Sequence, residues 1–155
     1  MSTTAAPHDP AEISAIIQSH VHREGPLLPI LHGMQAAFGY IPDAARAPIA
    51  DALNITEAEL HGVISFYHDF RREPAGRHVL KICRAEACQA VGGNVVGEDV
   101  LGKLGLDWHE TSADGRVTVE PVYCLGLCAC GPAAMVNDQV RGRVTADALV
   151  AEVSP

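Results

Sequence analysis

The chain has 155 residues, 48% hydrophobic and 19% charged, an ordinary composition for a folded domain. Folding at this length buries roughly 70% of the unfolded surface, which excludes disorder as the main state. Eleven Lys and Arg against 19 Asp and Glu give a net charge of −8 with no basic run, which excludes a strong nucleic-acid binder. The apolar stretches are shorter than the ~20 residues of a membrane-spanning helix.

Residues 1–10 are small, polar and proline-containing, with neither the basic nor the apolar region of a secretion signal. They read as a frayed tail. The chain is expected to be cytoplasmic. In that reducing compartment five cysteines point to metal binding or thiol chemistry rather than to a disulfide scaffold.

From 11 to 74 the pattern is helical. Ile13, Ile16, Ile17, His20 and Val21 form an amphipathic stripe, and Gly25-Pro26 breaks it. A second helix is predicted from about Pro29 to Phe38, with Leu28, Leu31, Gln35 and Phe38 near one side and Gly39 as its cap. Asp43 is predicted to cap a third helix through Leu53. Thr56 and Glu59 make a capping box for a fourth, through Leu60, Val63, Ile64 and Tyr67. Short helices of this kind are marginal alone, so a small bundle serving as a docking surface is expected.

From 77 to 155 the period changes to α/β. His78–Ile82 is a predicted strand leading into Cys83, and 87–104 has a looser helical pattern. Trp108 and the run Val117–Tyr123 predict two more strands, the second ending at Cys124. Residues 135–137 and 139–140 flank Asp138 as a tight hairpin, and Thr145 caps a terminal helix through about Val153.

Four cysteines form two pairs, each after a strand. Cys83 and Cys88 are C-x4-C; Cys124 and Cys128 are C-x3-C. Four thiolates brought to one end of a sheet meet the requirement of a [2Fe–2S] cluster, two per iron, and also that of tetrahedral zinc. The longer loops suit the wider two-iron group; zinc and buried unliganded thiols stay open on spacing alone. A Rieske centre is disfavoured because no His lies within the cysteine loops. A thioredoxin-type redox pair is absent; the nearest short pair is Cys128 and Cys130. Leu125 and Leu127 around Gly126 would provide an apolar lid, and Arg84 could offset cluster charge. The eight histidines are scattered and read as surface or packed residues. Gly92, Gly93 and Gly97 do not make a dinucleotide fingerprint, and no catalytic acid or base stands out.

Leu27-Leu-Pro-Ile-Leu-His32, Phe38-Gly-Tyr-Ile-Pro42, His61-Gly-Val-Ile-Ser-Phe-Tyr67, the C-x4-C pair and Cys124-Leu-Gly-Leu-Cys128 resemble the thioredoxin-like [2Fe–2S] subunit of respiratory NADH:quinone oxidoreductase. Relatives occur in NAD-reducing hydrogenases and in soluble NAD-dependent formate dehydrogenases. The stretches His68-Asp-Phe-Arg71 and Cys83-Arg-Ala-Glu-Ala-Cys-Gln-Ala90 look most like the formate dehydrogenase gamma subunit. The resemblance implies an N-terminal helical bundle and a thioredoxin-like ferredoxin domain with one [2Fe–2S] cluster on Cys83, Cys88, Cys124 and Cys128. It further implies a partner subunit holding FMN and NAD(H), and a larger catalytic subunit. Cys130 departs from the family pattern, which asks for no cysteine there. The contrasting expectation is a stand-alone zinc or redox-sensing module.

Overall fold

The computed structural model describes residues 8–154. The chain divides into two compact units, one ending at Pro74 and one beginning at Ala75.

The first unit contains α1 (Pro10–His20), α2 (Leu27–Phe38), α3 (Asp43–Leu53) and α4 (Glu57–Phe66). Asp9 caps α1, its carboxylate accepting from the Ala11 amide at 2.9 Å, and Pro10 takes the first helical position. His8 Nε2 lies 2.7 Å from the Tyr40 hydroxyl. The tail expected over 1–10 therefore needs correcting at 8–10, where Asp-Pro starts a helix; residues 1–7 lie outside the described residues. α2 stops at Gly39, whose φ of 80° carries no β-carbon penalty. Pro42, not Asp43, occupies the cap position of α3, and Asp43 is its first residue, favourably placed on the helix dipole. The capping box of α4 forms, with Thr56 Oγ1 accepting from the Glu59 amide and Glu59 accepting from the Thr56 amide.

Ile13 and Ile17, Ile30, Leu31 and Met34, Ala45 and Ile49, and Leu60 and Ile64 meet in one core. Each large aliphatic side chain removed from water stabilises the unit by roughly 1.5–3 kcal/mol, which is what holds four individually marginal helices. Gln35 does something other than pack. Its Nε2 donates to the Asp69 carbonyl at 2.6 Å and its Oε1 accepts from the Arg71 amide at 2.7 Å, while the Ile41 amide donates to the Arg71 carbonyl.

The second unit runs β1 (His78–Cys83), α5 (Glu86–Gln89), α6 (Gly93–Leu104), β2 (Val117–Val122), β3 (Ala133–Val136), β4 (Gln139–Gly142) and α7 (Ala146–Val153). The sheet order is β2-β1-β3-β4. β1 and β2 are parallel and joined by the helical crossover that a parallel pair requires. β3 is antiparallel to β1 and turns into β4 through Asn137–Asp138, with Asn137 at φ 54°. Leu80 and Ile82 of β1, Val117 and Val119 of β2, Val100 of α6 and Leu149 and Val153 of α7 form the core. Lys81 and Glu120 pair across the parallel strands and approach to 3.6 Å.

Two sequence expectations need correction. The helix expected over 87–104 is two helices, because Gly92 takes φ 91° between them. Trp108 lies in a turn rather than a strand; its ring lies where a β-carbon on Gly97 of α6 would be 3.1 Å from Cζ2. Among the described residues no helix is long and apolar enough to cross a membrane.

Candidate metal centre

Parallel pairing of β1 and β2 decides where the thiols go. In register, Cys83 stands beside Val122, so both strands reach the same sheet edge together, and the Arg84 amide donates to the Val122 carbonyl at 2.8 Å. Cys83 closes β1, Cys88 sits in α5, and Cys124 and Cys128 lie in the loop after β2. Cys124 adopts φ 94° and Gly126 φ 77°, a local conformation that turns the Gly126 amide back onto Cys124 Sγ at 3.4 Å. β2 thus ends at Val122, two residues before the cysteine expected to close it.

The thiols stand two by two. Cys124 Sγ and Cys128 Sγ are 3.8 Å apart, and Cys83 and Cys88 are buried together in one cluster. Among the described residues no three His, Cys, Asp or Glu side chains are grouped to hold a single metal ion. Cys83 and Cys88 are buried with Ala133 in a small apolar cluster bordered by Ala85, Val122, Leu125 and Leu127; Cys124 and Cys128 are exposed.

Burial pushes the Cys83 thiol up, but the amides of Ala85, Cys124 and Leu125 and the Cys88 side chain bring it below its ordinary value. Burial, then the bond with Cys83, hold Cys88 up despite a bond from the Ala133 backbone. Cys128 is raised first by its bond with Cys124 and then by the charge there. A donor set of paired thiols, half-buried among leucines and met by backbone amides, fits a [2Fe–2S] group. Such a group takes two thiolates per iron and is stabilised by N–H donors to sulfur.

Cys130 follows in a 3₁₀ turn, Cys128–Cys130, and its β-carbon lies against β4, where a β-carbon on Gly142 would be 2.9 Å away. The guanidinium of Arg84 sits 5.2 Å from the centroid of Trp108, an attachment that no local sequence pattern signals. Two supports of Cys88 also lie outside the expected site residues. A β-carbon on Gly93 would lie 2.7 Å from the Cys88 carbonyl oxygen, and one on Gly131 would lie 3.6 Å from Cys88 Sγ. The adjacent pair Gly92-Gly93 was the available signal for the first.

Residues 13–154 match the thioredoxin-like [2Fe–2S] ferredoxin family, and the chain belongs to it. One [2Fe–2S] cluster is the cofactor of that family. The chain is 34% identical over 134 residues to the HndA subunit of the NADP-reducing hydrogenase of Solidesulfovibrio fructosivorans, covering 86% of this chain and 78% of that one. It is 34% identical over 139 residues to a subunit of the NADH-quinone oxidoreductase of Pseudomonas aeruginosa, covering 88% and 84%. A crystal structure of an NAD+-reducing [NiFe]-hydrogenase superposes with a TM-score of 0.67 at 25% identity, over 82% of this chain and only 22% of that one. The N-terminal helices followed by a mixed-sheet thioredoxin-like domain are the fold of the chain.

Proposed function

We propose that this chain is the electron-transfer iron–sulfur subunit of a cytoplasmic multisubunit oxidoreductase, exchanging single electrons with the FMN of a partner that binds NAD(H). The observation that carries it is the pair of thiol pairs set on neighbouring parallel strand ends, with the Gly126 amide turned onto the Cys124 sulfur. Cys83 and Cys88 would hold one iron, and Cys124 and Cys128 the other. When bound, the cluster supplies a one-electron carrier, which splits two-electron flavin chemistry into single steps.

The residues of this chain hold that group, keep one pair of thiols out of water and aim N–H dipoles at sulfur. Hydride and substrate chemistry belong to other subunits, one of them a larger catalytic subunit, because this chain has no dinucleotide fingerprint. The helical unit offers the docking surface: Phe66, 72% exposed, and Tyr67 stack edge-to-face at its rim. The hydrogenase and quinone-oxidoreductase relatives support a complex of their type better than a formate dehydrogenase. Formate as terminal substrate rests on the stretches His68–Arg71 and Cys83–Ala90 alone.

The test is anaerobic copurification of the tagged full chain from its native host, with identification of the retained subunits and assay of the complex with hydrogen, formate and NADH. Recovery with a flavin-containing NAD(H)-binding subunit is expected. A chain that loads no cluster and retains no flavoprotein contradicts the proposal.

A further inference from the structure

The loop after β2 is anchored on both sides of one open residue. Leu125 and Leu127 pack against the buried cluster of Cys83, Cys88 and Ala133. At the far end the Cys130 amide donates to the Leu127 carbonyl at 2.8 Å, and the Cys130 carbonyl accepts at 2.6 Å from the amide of Arg143, just past β4. Gly126 stands between the two leucines, exposed, with nothing within 4 Å of the place a β-carbon would take. Room therefore does not call for glycine here; conformation does. Its φ of 77° lies in the left-handed region, which is costly for an ordinary L-residue.

The same residue links the loop backbone to a thiol. Its N–H donates to Cys124 Sγ, two residues back, at 3.4 Å, and the Cys128 Sγ, two residues on, stands 3.8 Å from that sulfur. On the reading above, which this inference rests on, we propose that Gly126 is a positioning residue. Its positive φ lets the chain turn toward Cys128 while its own N–H stays on Cys124 Sγ, and that fixed N–H raises the reduction potential of the loaded protein. The sign follows from charge: reduction adds a negative charge to the thiolate-bound group, and an N–H donor to sulfur favours the more negative state. Cys124 and Cys128 are exposed, so in a variant water takes the place of the amide as a donor without fixed direction. A negative shift of potential with loading retained is the expected signature.

Substitutions at Gly126 separate conformation from size. Asn is larger than Ala but enters the left-handed region more readily, because its short polar side chain hydrogen-bonds locally; β-branched Val is the least tolerant. In the complex, Gly126→Asn should load iron and sulfide and keep the parent's midpoint potential. Gly126→Ala should be more negative, and Gly126→Val more negative still. Crowding would reverse the order of Asn and Ala. If Gly126→Val does not load, the Asn and Ala variants decide. Pulsed EPR reads the bond directly: the parent labelled with ¹⁵N-glycine should show a coupling that the equally labelled Gly126→Asn protein lacks. Loss of loading in Gly126→Asn, equal potentials in all loaded variants, a more negative potential in Asn than in Ala, or identical glycine couplings in the two labelled proteins overturns the inference while leaving the cluster assignment intact. Failure of the parent chain to load overturns the assignment itself.

Discussion

Gly93 is packed against Cys88 so closely that a β-carbon on it would lie 2.7 Å from the Cys88 carbonyl oxygen and 3.2 Å from its Cβ. The obstacle is backbone, which cannot swing aside, so the first turn of α6 sets where the Cys88 thiol stands. Gly93→Ala is expected to destabilise the chain by about 1–3 kcal/mol through overpacking and to lower its iron content. Gly102, in the same helix with nothing within 4 Å of its virtual β-carbon, is the control. Gly102→Ala should stabilise by roughly 0.5–1 kcal/mol with full iron, both read from urea unfolding and metal analysis.

Cys130 should be dispensable. Its side chain begins against Gly142 rather than in the Cys124–Cys128 pair. Cys130→Ala is expected to keep the full cluster and a nearly unchanged reduced-state EPR spectrum. Cys128→Ala should lose the cluster, or hold it with a shifted spectrum. A colourless Cys130→Ala beside a spectrally normal Cys128→Ala reverses the assignment.

Gln35 stitches the segment after α4 to α2 through bonds to Asp69 and Arg71. Gln35→Leu preserves the apolar bulk and removes both bonds. The expected cost is about 1–3 kcal/mol by equilibrium denaturation, with the cluster retained.

The α4 capping box makes one stability contribution pH-dependent. Glu59 lies below its ordinary value of 4.5, first through the Thr56 amide and then through the Thr56 hydroxyl. A depressed carboxylate stabilises the fold fully above its unfolded value, and loses that contribution as pH falls from about 4.5 through the lowered folded value. Thermal unfolding of the parent should therefore show an acid loss over this window that is smaller in Glu59→Gln.

Phe66 is expected to matter for assembly and not for folding. With 72% of it exposed, Phe66→Glu should change stability by no more than about 0.5 kcal/mol and leave iron content intact. Recovery of the flavin-bearing partner in copurification should drop. Undiminished recovery counts against the helical unit as the docking surface.

Periodicity and caps made most elements legible. The Thr56/Glu59 box and Gly39 act locally, so short-range pattern suffices for α2 and α4. The pairing of cysteines after strands likewise marks the sheet edge, because parallel neighbours end together. What escaped was long-range. Gln35 looked like a member of an apolar face, and only the return of residues 69–71 shows its amide to be a clamp. Trp108 has strand propensity, yet it serves as a platform for Arg84 over Gly97, which no pattern within its own segment encodes. The two helices within 87–104 were readable in principle, since Gly92 is followed by the glycine that Cys88 requires.

The central claim is that these four thiols hold a two-iron group. It is tested most directly by iron, acid-labile sulfide and zinc analysis of the full chain in its complex, purified without oxygen, with EPR after reduction. Two irons and two sulfides per chain, with an EPR signal that appears on reduction, are predicted. One zinc per chain without sulfide would contradict it.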